Sequence, residues 1–188
     1  MKLPVLTLSL SLLLGGCATV IDATSESPIE ENPTSRTTGS FIDDEIIETK
    51  SLVNLNKVSE QLKNAHLSVV SYNGVVLLAG QVATEQARQL AEKTVREVRK
   101  VRVVHNELTV SGPTSAIVRT NDAWLTTKLK TKMLAEKNLD SGSIKVVTEN
   151  GVVYLLGLVR RIDADHAVAV ARGTSGVQKV VKMFEYVD

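Results

Sequence analysis

A chain of 188 residues with 22 basic and 21 acidic side chains carries a formal net charge of +1, which excludes the strong basic excess of a nucleic-acid binder. Aromatic residues make up 3% of it and Cys17 is its single cysteine, so the fold must rest on an aliphatic core without disulfides. The length is enough for one ordinary domain or two small ones.

The first element is a secretory pattern. Lys2 supplies a positive start, Leu3 to Leu14 form an apolar run, and the small residues Gly15 and Gly16 precede Cys17. That run is shorter than the roughly 20 apolar residues a spanning helix needs. A small-residue site ending in cysteine resembles the bacterial lipobox, although Gly15 stands where Ala or Ser is more usual. What it implies is a signal peptide over residues 1–16, and a diacylglycerol and an N-acyl chain on Cys17. An ordinary secretory signal beside an incidental cysteine is the competing reading. In the sorting pattern this resembles, Asp after the cysteine retains a lipoprotein at the inner membrane; Ala18 stands there, which favours the outer membrane. Loss of residues 1–16 removes one charge, Lys2, so the mature chain is formally neutral. Residues 17–40 then read as a lipidated N-terminus and a polar tether with prolines at 28 and 33 and no hydrophobic period.

Beyond the tether the chain repeats. The segment from Val69 to Val82 aligns without gaps on Val146 to Val159 at an offset of 77, with nine of 14 positions identical. Each copy centres on an Asn-Gly pair between β-branched runs, Asn73-Gly74 and Asn150-Gly151, which predicts two type I′ hairpins. A helix is expected before each hairpin. The first spans Asp43 to Lys63 on Ile46, Val53, Val58 and Leu62, interrupted near Asn54 to Asn56. The second spans Asp122 to Lys137 on Leu125, Leu129 and Met133. Another helix follows each hairpin, on Ala87, Leu90, Ala91, Thr94, Val95 and Val98 with Thr84 as cap, and on Ala164, Ala167, Val168 and Ala171 with Gly173 as stop. Final strands over 101–110, with Val104, Leu108 and Val110 on one face, and over 177–187 run parallel to their hairpins. The fold class is α+β: two α-β-β-α-β domains, 41–111 and 112–188, each a three-stranded mixed sheet packed on two helices.

Two units bearing Asn-Gly-Val-Val-x-Leu-x-Gly-x-Val behind a lipobox resemble the tandem BON-domain lipoproteins of the outer membrane. The sharpest match is Asn121-Asp122-Ala123-Trp124-Leu125-Thr126-Thr127-Lys128, followed by Thr148-Glu149-Asn150-Gly151 and Gly157-Leu158-Val159. Lys100 departs from the pattern, which has glycine there as Gly176 does in the second copy.

Chemistry has little to work with. His66, His105 and His166 lie apart, without metal-ligand spacing, and no nucleophile has a motif context. Asp163 and Asp165 beside His166 read as helix-start acids complementing the macrodipole. No catalytic residue, metal, small-molecule substrate or cofactor is expected, apart from the acyl groups on Cys17.

Trp124 is the informative side chain. On a helix of 3.6 residues per turn it lies about 140° from the core stripe of Leu125, Leu129 and Met133. Beside it fall Thr127, Lys128, Thr131, Lys132 and Leu134, and Lys130 adds a third lysine to a stretch, 123–135, without an acid. An exposed indole among lysines suits anionic headgroups, and docking of the same indole on the other unit is equally compatible with the spacing. The family resemblance implies the first, with Trp124, Lys128 and Leu134 matching a phospholipid-binding helix and Lys130 keeping the charge type. It implies further a role in envelope integrity and enrichment at division sites. The alternative is a periplasmic adaptor that holds an envelope assembly or division protein.

Overall fold

The computed structural model describes residues 32–188; residues 1–31, including the signal pattern, Cys17 and most of the expected tether, lie outside them. Its helices are α1 (Thr38–Val58), α2 (Glu60–Lys63), α3 (Glu85–Arg96), α4 (Ala116–Ala135) and α5 (Arg161–Arg172). Its strands are β1 (His66–Tyr72), β2 (Val75–Val82), β3 (Val103–Val110), β4 (Ile144–Glu149), β5 (Val152–Val159) and β6 (Lys179–Tyr186). They make two separate three-stranded sheets, β1-β2-β3 and β4-β5-β6. In each, the hairpin is antiparallel and the last strand lies parallel to the middle one, as the repeat predicts.

The Asn-Gly turns have φ of 52° and 76° at Asn73-Gly74, and 49° and 76° at Asn150-Gly151, the two positive values a type I′ turn requires. The Gly of each Leu-x-Gly marks a close backbone approach. A Cβ on Gly80 would stand 2.0 Å from the His66 carbonyl oxygen, and one on Gly157 2.3 Å from that of Ser143. Thr84 caps α3 by accepting from the Ala87 amide, and Gly173 follows α5.

One carboxylate in each unit joins its first helix to its hairpin turn. Asp44 accepts from the amides of Asn73 and Gly74 at 2.8 and 2.9 Å. Asp122 does the same for Asn150 and Gly151 at the same distances. Both aspartates are buried, and this sets the rotation of their helices. In α1 the inward residues are Asp44, Ile47, Ser51 and Leu55. Ile46, Val53 and Val58, expected to form its core face, are instead 44%, 44% and 47% exposed. The helix also runs unbroken through Asn54 to Asn56, with Leu55 fully buried, and breaks at Ser59, whose hydroxyl caps α2.

Each sheet buries both faces. On one face Val76, Leu78 and Val82 meet α1 and α3, and Val153, Leu155 and Val159 meet α4 and α5. On the other, Tyr72, Leu77 and Ala79 share a single buried cluster with Tyr154, Leu156 and Met183. The order is therefore helices, sheet, sheet, helices, and the two units join back to back. Burial, then the charges of Glu107 and Glu149, push the Tyr154 phenol up to about 12. Polar contacts ring this apolar seam. Glu149 accepts from Gln81 at 2.8 Å, Lys145 donates to Glu48 at 2.8 Å, and Arg102 pairs with Glu185 at 2.7 Å.

Ordered packing starts inside the stretch expected to be a tether. Thr34 is buried and donates to Asp140, while Arg36 pairs with Asp44 at 2.7 Å and stacks 4.1 Å from the Tyr72 ring. A cation held by one carboxylate and by the rings of Tyr72 and Phe41 leaves no hydrophobic period to read. Val110, placed on the core face of its strand in the sequence reading, is 49% exposed at the strand's end.

Lys100 adopts φ 73°, where its counterpart Gly176 has 102°. A left-handed conformation costs a residue with a Cβ about 1–2 kcal/mol. Lys100→Gly is therefore expected to raise stability by about 1 kcal/mol in urea melts, even though it gives up the exposed Lys100–Asp43 pair. Lys100→Ala, which loses that pair and keeps the strain, should not stabilise.

Candidate membrane-contact surface

Helix α4 begins two turns earlier than the periodicity of its core residues suggests. Ser115 caps it by accepting from the Val118 amide, and Leu125, Leu129 and Met133 hold it against the second sheet at 0–1% exposure. Its single acid, Asp122, is consumed inside by the hairpin turn. What remains for the outer side is Arg119, Lys128, Lys130 and Lys132, so the helix face is cationic for a structural reason.

Trp124 is 57% exposed and Leu134 77% exposed. The Lys128 ammonium sits 4.6 Å from the centroid of the Trp124 ring, a cation–π contact between neighbours one turn apart. The same ammonium donates to the Ser175 carbonyl at 3.3 Å. Thr127 and Thr131 are exposed and send their hydroxyl protons back to the carbonyls of Ala123 and Thr127, leaving their oxygen lone pairs outward. Lys132 is exposed on the flank beside Lys128. Lys130, also exposed, lies about 120° around the helix from Trp124, and so borders the face rather than forming part of it.

Ile117, outside the sequence reading, belongs to this surface. It is 81% exposed, and with Ala116, Thr120, Asn121 and Trp124 it lines an apolar depression of about 510 Å³. Ser115 two residues before an apolar pair was the available signal, as an N-cap. Docking of Trp124 on the first unit does not occur, because the units meet through the backs of their sheets. Among the described residues no helix is long and apolar enough to cross a membrane.

A duplicated α-β-β-α-β unit, joined back to back through its sheets and carrying an exposed aromatic and cationic helix face, defines a two-domain α+β protein of the tandem-repeat kind. The BON domain matches this chain at residues 43–112 and again at 121–188, and the chain belongs to that family. It is 37% identical over 187 residues to the outer membrane lipoprotein DolP of Haemophilus influenzae, across all of this chain and 96% of that one. It is also 37% identical to a 21 kDa hemolysin of Actinobacillus pleuropneumoniae, over 81% of this chain and 79% of the relative. Osmotically-inducible protein Y of Escherichia coli is 31% identical, over 76% and 72% respectively.

Proposed function

We propose that this protein is a non-enzymatic outer-membrane lipoprotein, acylated on Cys17 and facing the periplasm, which binds anionic phospholipid through α4 and supports envelope integrity, including at division sites. The observation that carries the reading is the outer face of α4, where Trp124 and Lys128 stand together on a helix whose only acid is buried. The name of the Haemophilus relative supports the location, and the lipobox resemblance supports the anchor. An interfacial indole plus about 1 kcal/mol for each lysine near the surface gives a weak, salt-sensitive affinity. Such an affinity becomes effective when an acyl anchor already confines the domain beside the bilayer.

Flotation of the chain with vesicles tests the lipid preference. Binding to vesicles containing phosphatidylglycerol should exceed binding to purely zwitterionic vesicles and fall as salt rises; equal flotation with both would favour the adaptor reading instead. The anchor is tested separately. Cys17→Ser should abolish acyl labelling and release the protein from membranes, or leave it held by an uncleaved signal, and an unmodified Cys17 in the mature wild-type chain by mass spectrometry would refute the assignment.

A further inference from the structure

The outer side of α1 carries an apolar stripe that the membrane-contact reading leaves unused. Ile42, Ile46, Thr49, Val53 and Asn56 follow one another in alternating steps of four and three, the spacing of a coiled-coil seam. Ile42 is 53% exposed, and Ile46 and Val53 are each 44% exposed. They lie directly opposite Asp44, Ile47, Ser51 and Leu55, which hold the helix to its own sheet. The flanking charges divide into two kinds. Asp43 is taken by Lys100 and Glu48 by Lys145 within the chain, whereas Glu45 and Lys50 are exposed and make no ion pair among the described residues.

We infer that this face pairs with the same face of a second copy, forming a parallel two-helix contact. In a parallel pair the residue before each inner position of one helix meets the residue five places on in its partner. Glu45 of each copy then faces Lys50 of the other, so the contact neutralises both unpaired charges twice over. β-branched Ile46 and Val53 occupy the inner positions where such residues favour two strands, with Thr49 and Asn56 as polar residues at the alternating seam positions. Antiparallel pairing would bring like charges together. Asp44 and Asp122 correspond, so α4 has Ala123 where α1 has Glu45, and Lys128 where α1 has Lys50. That edge of α4 is therefore positive without a matching acid, which suits lipid phosphate, whereas α1 is complementary to itself. Because the helical layers lie on opposite outer sides of the paired sheets, a copy can use both faces at once. A single helix pair buries less than a standard stable interface, so the contact forms where anchors concentrate the protein on one membrane.

The test is disulfide crosslinking of the full-length lipidated chain carrying Val53→Cys, in neutral detergent micelles so that binding to anionic lipid plays no part. Val53→Cys should crosslink to a dimer at least about tenfold faster than Leu134→Cys, an exposed control on α4, and the chain without an added cysteine should not crosslink. Adding Glu45→Lys should cut the rate by about tenfold, since both cross-pairs become repulsive. Adding Lys50→Glu to that variant should restore it. Thermal melting of each variant should match the parent, as all these positions are exposed. A Val53→Cys rate no higher than the control, or a rate indifferent to the charge reversal, overturns the inference. None of these readouts depends on whether α4 binds lipid.

Discussion

Asp44→Ala is expected to lower stability by about 4 kcal/mol, because one buried carboxylate serves four donors. Its Oδ1 accepts from the Ser71 hydroxyl at 2.6 Å and the Gly74 amide, and its Oδ2 from the Asn73 amide and the Arg36 guanidinium. Removing it leaves the hairpin amides without an acceptor, and frees Arg36 from the segment that pins the N-terminal side of the fold. Asp122→Ala should cost less, about 2–3 kcal/mol. It serves the two turn amides, but Thr148, the counterpart of Ser71, bonds to Thr126 instead. Urea melts of the two variants should rank in that order, and equal losses would show that Ser71 and Arg36 contribute nothing. A pH dependence follows as well. Burial pushes the Asp44 carboxyl up, but its bonds from Ser71, Gly74, Arg36 and Asn73 outweigh burial and hold it below the ordinary aspartate value. A folded carboxyl depressed below its unfolded value contributes stability that is fully present above the unfolded value. That share is lost as pH falls below about 4 and through the depressed folded value, and Asp44→Ala should flatten this limb.

These aspartates explain where reading from sequence succeeds and where it fails. The hairpins, the trailing helices and the parallel third strands are local patterns, legible from Asn-Gly pairs and apolar periods. The rotation of α1 is not local. Its apolar residues allow two stripes, Ile42-Ile46-Val53 and Ile47-Leu55, and hydrophobicity favours neither. Asp44 chooses, because its carboxylate must reach a turn some 30 residues further on, and it carries Ile47 and Leu55 inward with it. In α4 the same rotation was legible, since Leu125, Leu129 and Met133 offer one strong stripe with no rival.

The back-to-back joint had a readable signal that periodicity obscured. Val75 to Ala79 and Val152 to Leu156 are unbroken apolar runs, the mark of strands covered on both faces. An amphipathic repeat explains one cover, and the second cover is the other copy. Duplication thus supplies its own interface, which in turn leaves Trp124 outside. The polar ring of Gln81, Glu149, Lys145 and Glu48 carried no comparable signal, because each is a lone surface-type residue until the two sheets meet.

Trp124→Glu is expected to weaken binding to phosphatidylglycerol-containing vesicles by at least about tenfold while leaving the fold intact. The side chain is more than half exposed, and the helix is held by Leu125, Leu129 and Met133, so the melting temperature should move little. Binding suffers twice. The indole that would settle at the headgroup level is lost, and the new carboxylate faces lipid phosphate while drawing the Lys128 ammonium, now without its ring, into an intramolecular pair one turn away. Lys132 keeps its charge, so a residual, more salt-sensitive attraction should remain, whereas Trp124→Phe should retain most of the binding by keeping an aromatic plane beneath Lys128. Liposome flotation and thermal melting on the same preparations separate the outcomes. Unchanged flotation at unchanged melting would remove α4 from the membrane, and a melting point lowered by many degrees would mean that the indole has a packing role this exposed position does not provide.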